Sequence, residues 1–348
     1  MKTIAIRADA NETIAMGHLM RCMSIAFQLK KAGHTVIFIL AENYAENLIL
    51  QNNFPCICMS RIYNHKDQEL EELTAILTRH KAACILVDSY DLTSAYIERL
   101  NKICKTVYID DLQHFEYPAH LTVYYRYGAE QMQEALDSSK APQHAKRYLL
   151  GIRYAPLREV FAAAAPPARE QIEQILITTG GTDPYEMLIG ILKTMQQAFP
   201  AVKKHVVAGK FYHNLPLLHK IAAADDTVLI YHDIPDIDRV MRQCDAAVSA
   251  GGGTLAELCA CGVPTVCFTL ADNQLDGTKA YADACLVLYA GDVRSSRDAV
   301  LQTITAKMEL LQDDPAYRKC MGKRAKEAVD GRGASRIAEE IIQLIQET

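Results

Sequence analysis

Short apolar runs alternate with segments of helical period from the first residues onward, and this alternation restricts the chain to parallel α/β layers more tightly than any other feature. A strand is expected at 3–8, then a helix at 19–31 with Leu19, Cys22, Met23, Ala26 and Leu29 on one stripe, then Gly33 and a strand at 35–40. The run Cys84-Ile85-Leu86-Val87 leads into Asp88, a helix is expected at 94–104, and Thr106-Val107-Tyr108-Ile109 leads into Asp110-Asp111. The tract Ala162-Ala163-Ala164-Ala165-Pro166-Pro167 breaks the pattern as a hinge or linker. Strands are expected again at 175–179, 204–208, 227–231, 245–249, 265–270 and 285–289. The expected architecture is two doubly wound, Rossmann-like α/β domains facing across a cleft. They occupy 1–160 and 170–332, and a last helix at 333–348, apolar at Ile337, Ile341, Ile342 and Ile345, is placed to cross back onto the first domain.

A chain of 348 residues, half of them hydrophobic, supports two cores of this kind. Its 37 basic and 42 acidic residues leave a formal charge of -5 with no basic block, so neither nucleic acid nor a membrane surface is an expected partner. The N-terminus runs directly into a strand bearing Arg7 and Asp9, and no apolar run approaches the roughly eighteen residues of a membrane span, so a cytoplasmic protein is expected. The eleven cysteines, an odd number, include Cys56-Ile57-Cys58 and Cys259-Ala260-Cys261, spacings that match neither zinc nor thioredoxin patterns, so reduced and mostly buried thiols are expected.

Four segments carry candidate chemistry, and each has a plainer structural explanation. Met16-Gly17-His18-Leu19 sets an imidazole at a helix start beyond the first strand, where open parallel sheets bind ligands. An imidazole, with an ordinary pKa of about 6.5, accepts a proton from water near neutrality; a packing or capping histidine is the alternative. Asp9 is near enough in sequence to orient that ring, or to pair with Arg7 or Arg21, while Asp88 and Asp110 end strands that point to the same region. Ala250-Gly251-Gly252-Gly253-Thr254 follows a strand and opens a helix, offering unpaired N–H groups to a diphosphate, with Glu257 one turn on to accept from a ribose diol; the alternative is a tight turn with a solvated glutamate. Gly180-Gly181-Thr182-Asp183-Pro184 is a second glycine turn, either a phosphate contact through Thr182 or a helix cap. Asp236-Ile237-Asp238 is read as acidic residues in a first helical turn rather than as a metal site, and no metal or cofactor is expected.

Taken in order, Arg7-Ala8-Asp9-Ala10, Gly17-His18-Leu19-Met20-Arg21-Cys22, Val87-Asp88-Ser89-Tyr90, Ile109-Asp110-Asp111-Leu112, Leu150-Gly151-Ile152-Arg153-Tyr154-Ala155-Pro156-Leu157-Arg158, and the two glycine turns resemble the UDP-2,4-diacetamido-2,4,6-trideoxy-β-L-altropyranose hydrolases of pseudaminic acid biosynthesis. That family has the glycosyltransferase-B (GT-B) architecture and is similar to the peptidoglycan N-acetylglucosaminyltransferase. The resemblance implies a metal-independent enzyme whose substrates are a UDP-sugar and water. His18 would be its general base, Gly252, Gly253 and Thr254 would hold the diphosphate, Glu257 the ribose, and the backbone around Asp233 and Ile234 the uracil. Asp88, Tyr90, Asn273 and Gln274 would face the sugar, and Asp9, Arg21 and Thr182 are counted with the substrate-binding residues. Two departures stand out: Ala15 replaces a usual glycine, and Tyr124-Tyr125-Arg126-Tyr127-Gly128-Ala129 replaces an Asn-Gln-Asn type stretch. A transferase of the same architecture and a non-catalytic nucleotide-sugar-binding protein are the competing expectations; the oligomeric state is left open.

Overall fold

The structure is a computed structural model that describes residues 1–11, 14, 16–113, 117–138 and 147–347. The substitution noted at Ala15 lies outside these residues. The chain forms two compact units, one made of 1–159 with 332–348 and the other of 160–331.

Among its described residues the first unit has seven strands: β1 (Thr3–Ala8), β2 (Thr35–Leu40), β3 (Cys56–Cys58), β4 (Ala82–Asp88), β5 (Lys105–Ile109), β6 (Leu121–Tyr124) and β7 (Tyr148–Leu150). They pair in the order β3-β2-β1-β4-β5-β6-β7, every neighbour parallel. Helices cover both faces, so the central strands read as continuous apolar runs instead of alternating ones. Ile4, Ile6 and Ala8 of β1 pack with Leu19, Cys22, Ile25, Ala26 and Leu29 of the helix Gly17–Lys31, and with Ile337, Ile341 and Leu344 of the helix Gly333–Leu344. Ala5 points the other way, into a cluster with Leu73 and Leu77 of the helix Lys66–Arg79 and Ile97 and Leu100 of the helix Ser94–Asn101. The last helix therefore belongs to the first unit's core. Gly333 at its start is a close approach: a Cβ there would lie 2.1 Å from the Ala155 carbonyl oxygen.

The second unit has six strands: β8 (Gln174–Thr178), β9 (Lys203–Ala208), β10 (Val228–His232), β11 (Ala246–Ala250), β12 (Thr265–Thr269) and β13 (Leu288–Asp292). Their order is β10-β9-β8-β11-β12-β13, again wholly parallel. Its core joins the strands to Met187, Leu188, Ile191 and Leu192 of the helix Met187–Ala198 and to Ile304, Met308 and Leu311 of the helix Arg297–Asp313.

The last strand starts three residues later than the apolar run 285–289 suggests. Cys285 sits at φ 56° at the end of the preceding helix, Asp272–Asp283, and the chain becomes extended only beyond it. All eleven cysteines are free thiols, six of them buried. Among the described residues no helix is long and apolar enough to cross a membrane.

Candidate active site

Each sheet reverses its strand order once near its middle, at β1/β4 in the first unit and at β8/β11 in the second. Beyond the carboxyl ends of such strand pairs the flanking helices diverge and leave room for a ligand. Most of the candidate residues fall at these two places.

In the first unit the pleat decides which side chains meet. Cys84 and Leu86 of β4 share the apolar cluster of the helix Gly17–Lys31, whereas Ile85 and Val87 face the opposite cluster. With a side-chain period of two, Asp88 points toward that helix and Ser89 away from it. His18 and Arg21, three positions apart in the helix, share the face that receives Asp88. His18 Nδ1 lies 2.7 Å from Asp88 Oδ1, and Arg21 grips the same carboxylate with two forks, Nη2 to Oδ1 and Nε to Oδ2, both at 2.5 Å. Arg21 Nη1 reaches on to Asp111 Oδ1 at 2.9 Å and to the Tyr125 hydroxyl at 2.7 Å. The Tyr90 hydroxyl donates to Asp111 Oδ2 at 3.1 Å, and its ring stands edge-on to His18 with centroids 4.6 Å apart.

Asp88 is fully buried and His18 is 5% exposed. Burial works against the Asp88 charge, but the Arg21 guanidinium and the hydrogen bonds from Arg21 and His18 outweigh it and hold the carboxyl down at about 2. An ionised Asp88 accepts only, so its contact with the ring is a hydrogen bond in the tautomer that carries the proton on Nδ1, the nitrogen that Arg21 Nη2 also approaches at 2.9 Å. Nε2 is then the ring's open acceptor, and it has no hydrogen-bond partner among the described residues. Burial, followed by Asp111, raises the Tyr90 phenol above its ordinary value, and burial moves Tyr125 to about 12, so both stay neutral, Tyr90 donating to Asp111 and Tyr125 accepting from Arg21.

Asp9 does not orient the imidazole. Arg7 and Asp9 project from the β1 face opposite His18, toward the helix Lys66–Arg79, where Asp9 accepts from Arg7 at 2.5 Å, Lys66 at 2.6 Å and Ser89 at 2.9 Å. Arg7 also forks onto Glu69 at 2.7 and 2.9 Å, and Tyr96 donates to that carboxylate at 2.7 Å. The orienting group is Asp88, seventy residues from the histidine in sequence. Asp110 is buried, with its Oδ1 held by the Leu112 N–H. Its neighbour Asp111, together with Tyr125, joins the histidine cluster. Neither was singled out from the sequence, although both lie in segments that drew notice: the paired aspartates and the unusual tyrosine stretch.

In the second unit, Gly180–Thr182 follows β8, Asp233 and Ile234 follow β10, Gly251–Thr254 follows β11, and Asn273 and Gln274 follow β12. These groups share the carboxyl edge of the sheet. Gly251 is demanded by packing, since a Cβ there would stand 2.1 Å from Thr278 Oγ1. Gly252 and Gly253 are exposed, nothing lies within 4 Å of where their Cβ atoms would be, and the helix Gly253–Cys261 has no side-chain cap at its start. Open amides and the positive end of the helix dipole are thus available to an anion. Thr254 and Glu257 are half-buried on the first turns of the same helix.

The other glycine turn divides its labour. Asp183 accepts from the N–H groups of Met187 and Leu188, both at 2.8 Å, and caps that helix, while Gly181 and Thr182 stay exposed. Asp233 is exposed at φ 48° and Ile234 is half-buried. Asn273 is exposed, but Gln274 Oε1 accepts from the Leu270 N–H at 2.9 Å and so is committed to shaping its own turn. Asp236 and Asp238 begin the short helix Ile237–Met241, with Arg239 3.3 Å from Asp236, an ordinary helix start.

No protein-family model matches the chain. Among characterised proteins it is similar to the spore coat polysaccharide biosynthesis protein SpsG of Bacillus subtilis, 24% identical over 343 residues and 96% of each chain. It is also similar to the pseudaminic acid cytidylyltransferase and UDP-2,4-diacetamido-2,4,6-trideoxy-β-L-altropyranose hydrolase of Helicobacter pylori, 22% identical over 285 residues, which are 80% of this chain but 46% of that protein. Among solved structures, MurG of Acinetobacter baumannii superposes over the full length of both chains with a TM-score of 0.69 at 14% identity. Two parallel-sheet units and this structural likeness establish the architecture: the chain has the GT-B fold, composed of two Rossmann-like domains.

Proposed function

We propose that this protein is a nucleotide-sugar hydrolase, which cleaves a UDP-linked diacetamido-trideoxy sugar at its anomeric carbon, with inversion, to UDP and the free sugar, as a step in pseudaminic acid biosynthesis. The observation that carries the reading is the His18–Asp88 contact, because a ring that donates from Nδ1 to a buried carboxylate keeps Nε2 as a fixed proton acceptor. Water gives a proton to Nε2 as its oxygen bonds to the anomeric carbon. The bond from that carbon to the diphosphate oxygen breaks, and its electron pair leaves with UDP. The open amides at Gly252 and Gly253 and the Thr254 hydroxyl hold the diphosphate and stabilise the charge that develops on it, Glu257 takes the ribose diol, and the backbone at Asp233 and Ile234 takes the uracil. Tyr90, Arg21 and Asp111 line the sugar's side of His18, with Thr182, Asn273 and the amide nitrogen of Gln274, whose oxygen is held by Leu270, completing the contacts. The Helicobacter relative, whose name includes this hydrolysis, supports the choice of substrate.

A relative from Geobacter sulfurreducens named as an N-acetylglucosamine transferase, 25% identical over 207 residues, favours a second reading, a transferase in which Nε2 takes the proton from an acceptor hydroxyl instead of from water. Release of UDP from the UDP-sugar, followed with no acceptor present, separates the two. The hydrolase reading expects sustained multiple turnovers in buffer alone, whereas release that requires an added alcohol acceptor favours the transferase.

A further inference from the structure

The second unit holds a pocket of about 390 Å³ at the end of its sheet opposite to the glycine turns. It is lined by residues that precede strands: Ala165–Arg169 before β8, Cys244 and Asp245 before β11, and Gly262–Pro264 before β12. Strands of five residues separate this edge from the Gly251–Thr254 turn, roughly 16 Å at the usual rise per residue.

Its charge is lopsided. Arg169, Arg242, Arg318, Lys319, Lys323 and Lys326 line it, against only two carboxylates, Asp245 and Glu327. Asp245 is taken by Arg169 at 2.8 Å, Glu327 pairs with Lys323 at 3.9 Å, and Lys319 pairs with Glu170 outside the lining, which leaves Arg242 and Arg318 within the excess. Arg242 makes its hydrogen bonds to neutral main-chain oxygens, those of Ala164 at 2.7 Å, Val160 at 3.0 Å and Ala163 at 3.4 Å. The almost fully buried Arg318 does the same, bonding the carbonyls of Leu311 at 2.5 Å and Arg169 at 2.9 Å. Carbonyl dipoles satisfy the donors of Arg242 and Arg318 but carry no net charge, so the cations of the lining still outnumber its carboxylates. Burial pulls the Arg318 guanidinium below its ordinary value, and the Asp245 and Glu170 carboxylates offset part of that effect. Pro166, Pro167, Val263 and Pro264 supply apolar wall, so the cavity offers positive charge beside apolar surface.

We infer that this pocket is a second ligand site, which takes a small organic anion, a carboxylate or phosphate carried on a compact apolar body, with Arg242 as its principal charge partner. Its volume falls in the range of small-molecule sites. The inference does not depend on the activity proposed for the glycine turns.

The test uses the full chain. Because the protein contains no tryptophan, Ala168→Trp places a single reporter at an exposed position in the lining. Phenyl phosphate and benzoate serve as anionic probes and benzyl alcohol as their neutral counterpart, followed by tryptophan fluorescence and, on the unsubstituted protein, by calorimetry. The expected result is saturable binding of at least one anionic probe that the neutral one does not reproduce, unaffected by saturating UDP and weakened about tenfold by Arg242→Gln. Lys323→Gln, at an exposed rim position, replaces that variant if Arg242→Gln does not fold. Absence of saturable binding by both methods, equal binding of benzyl alcohol, displacement by UDP, or unchanged affinity in the folded charge variant overturns the assignment.

Discussion

Replacement of His18 by Asn lowers kcat for UDP release by about 10²–10⁴-fold, the usual contribution of a positioned general base. The affinity for UDP itself stays within about twofold, because an interaction made only in the transition state can be removed without touching ground-state binding. The physical basis is local. Asn supplies no second nitrogen at the Nε2 position, while the diphosphate contacts proposed at Gly252–Thr254 belong to the other unit and keep their geometry. Steady-state kinetics together with calorimetric titration of UDP check both halves. A variant that turns over at the wild-type rate removes the base assignment, and one that loses UDP affinity in parallel shows a structural histidine.

The second large effect is on stability. Asp88→Asn leaves the Arg21 guanidinium, which had two charge-assisted contacts to that carboxylate, with Asp111 as its remaining counter-charge in a largely buried position. Breaking one partner of a buried pair costs about 3–5 kcal/mol, and the lower end is expected here because Asp111 remains. The pH dependence carries the same signature. The folded-state carboxyl of Asp88 is depressed to about 2, below its unfolded value near 4, so its contribution to stability is complete above about pH 4 and is lost as the pH falls toward 2. The shift corresponds to about 2 kcal/mol. Urea unfolding of the wild type should weaken across that window, and the Asn variant, already destabilised at neutral pH, should weaken less. Equal slopes in the two proteins would mean that Asp88 is not held ionised by Arg21.

The sequence shows the layer order and the strand ends more clearly than the partners of the charged residues. The runs at 3–8 and 35–40 are helix-covered strands of the sheet interior, apolar but for Thr3, Arg7 and Thr35, and their limits can be read directly. Three shorter strands, Cys56–Cys58, Leu121–Tyr124 and Tyr148–Leu150, escape notice because three or four residues carry no usable period. The helix Lys66–Arg79 buries Lys66 and Glu69, residues that a sequence reading assigns to solvent; their counter-charges, Asp9 just after β1 and Arg7 within it, lie some sixty residues away.

The same separation explains the histidine's partner. Asp9 is nearer in sequence, but the pleat of β1 turns it to the other face, and the choice of Asp88 depends on the β1–β4 pairing that sets Ala8 beside it. The glycine turns are more legible, because a strand, two or three glycines and a helix start are all local. Even so, only the packing reveals that Gly251 is held by Thr278 while Gly252 and Gly253 are the ones left open.

The central claim, that an imidazole-activated water attacks the sugar's anomeric carbon, is tested most directly by hydrolysis of the UDP-sugar in oxygen-18 water, with the products read by mass spectrometry. The account predicts one labelled oxygen on the free sugar, at its anomeric position, and none in UDP. Label in the terminal phosphate of UDP, with an unlabelled sugar, would mean attack at phosphorus and would contradict it.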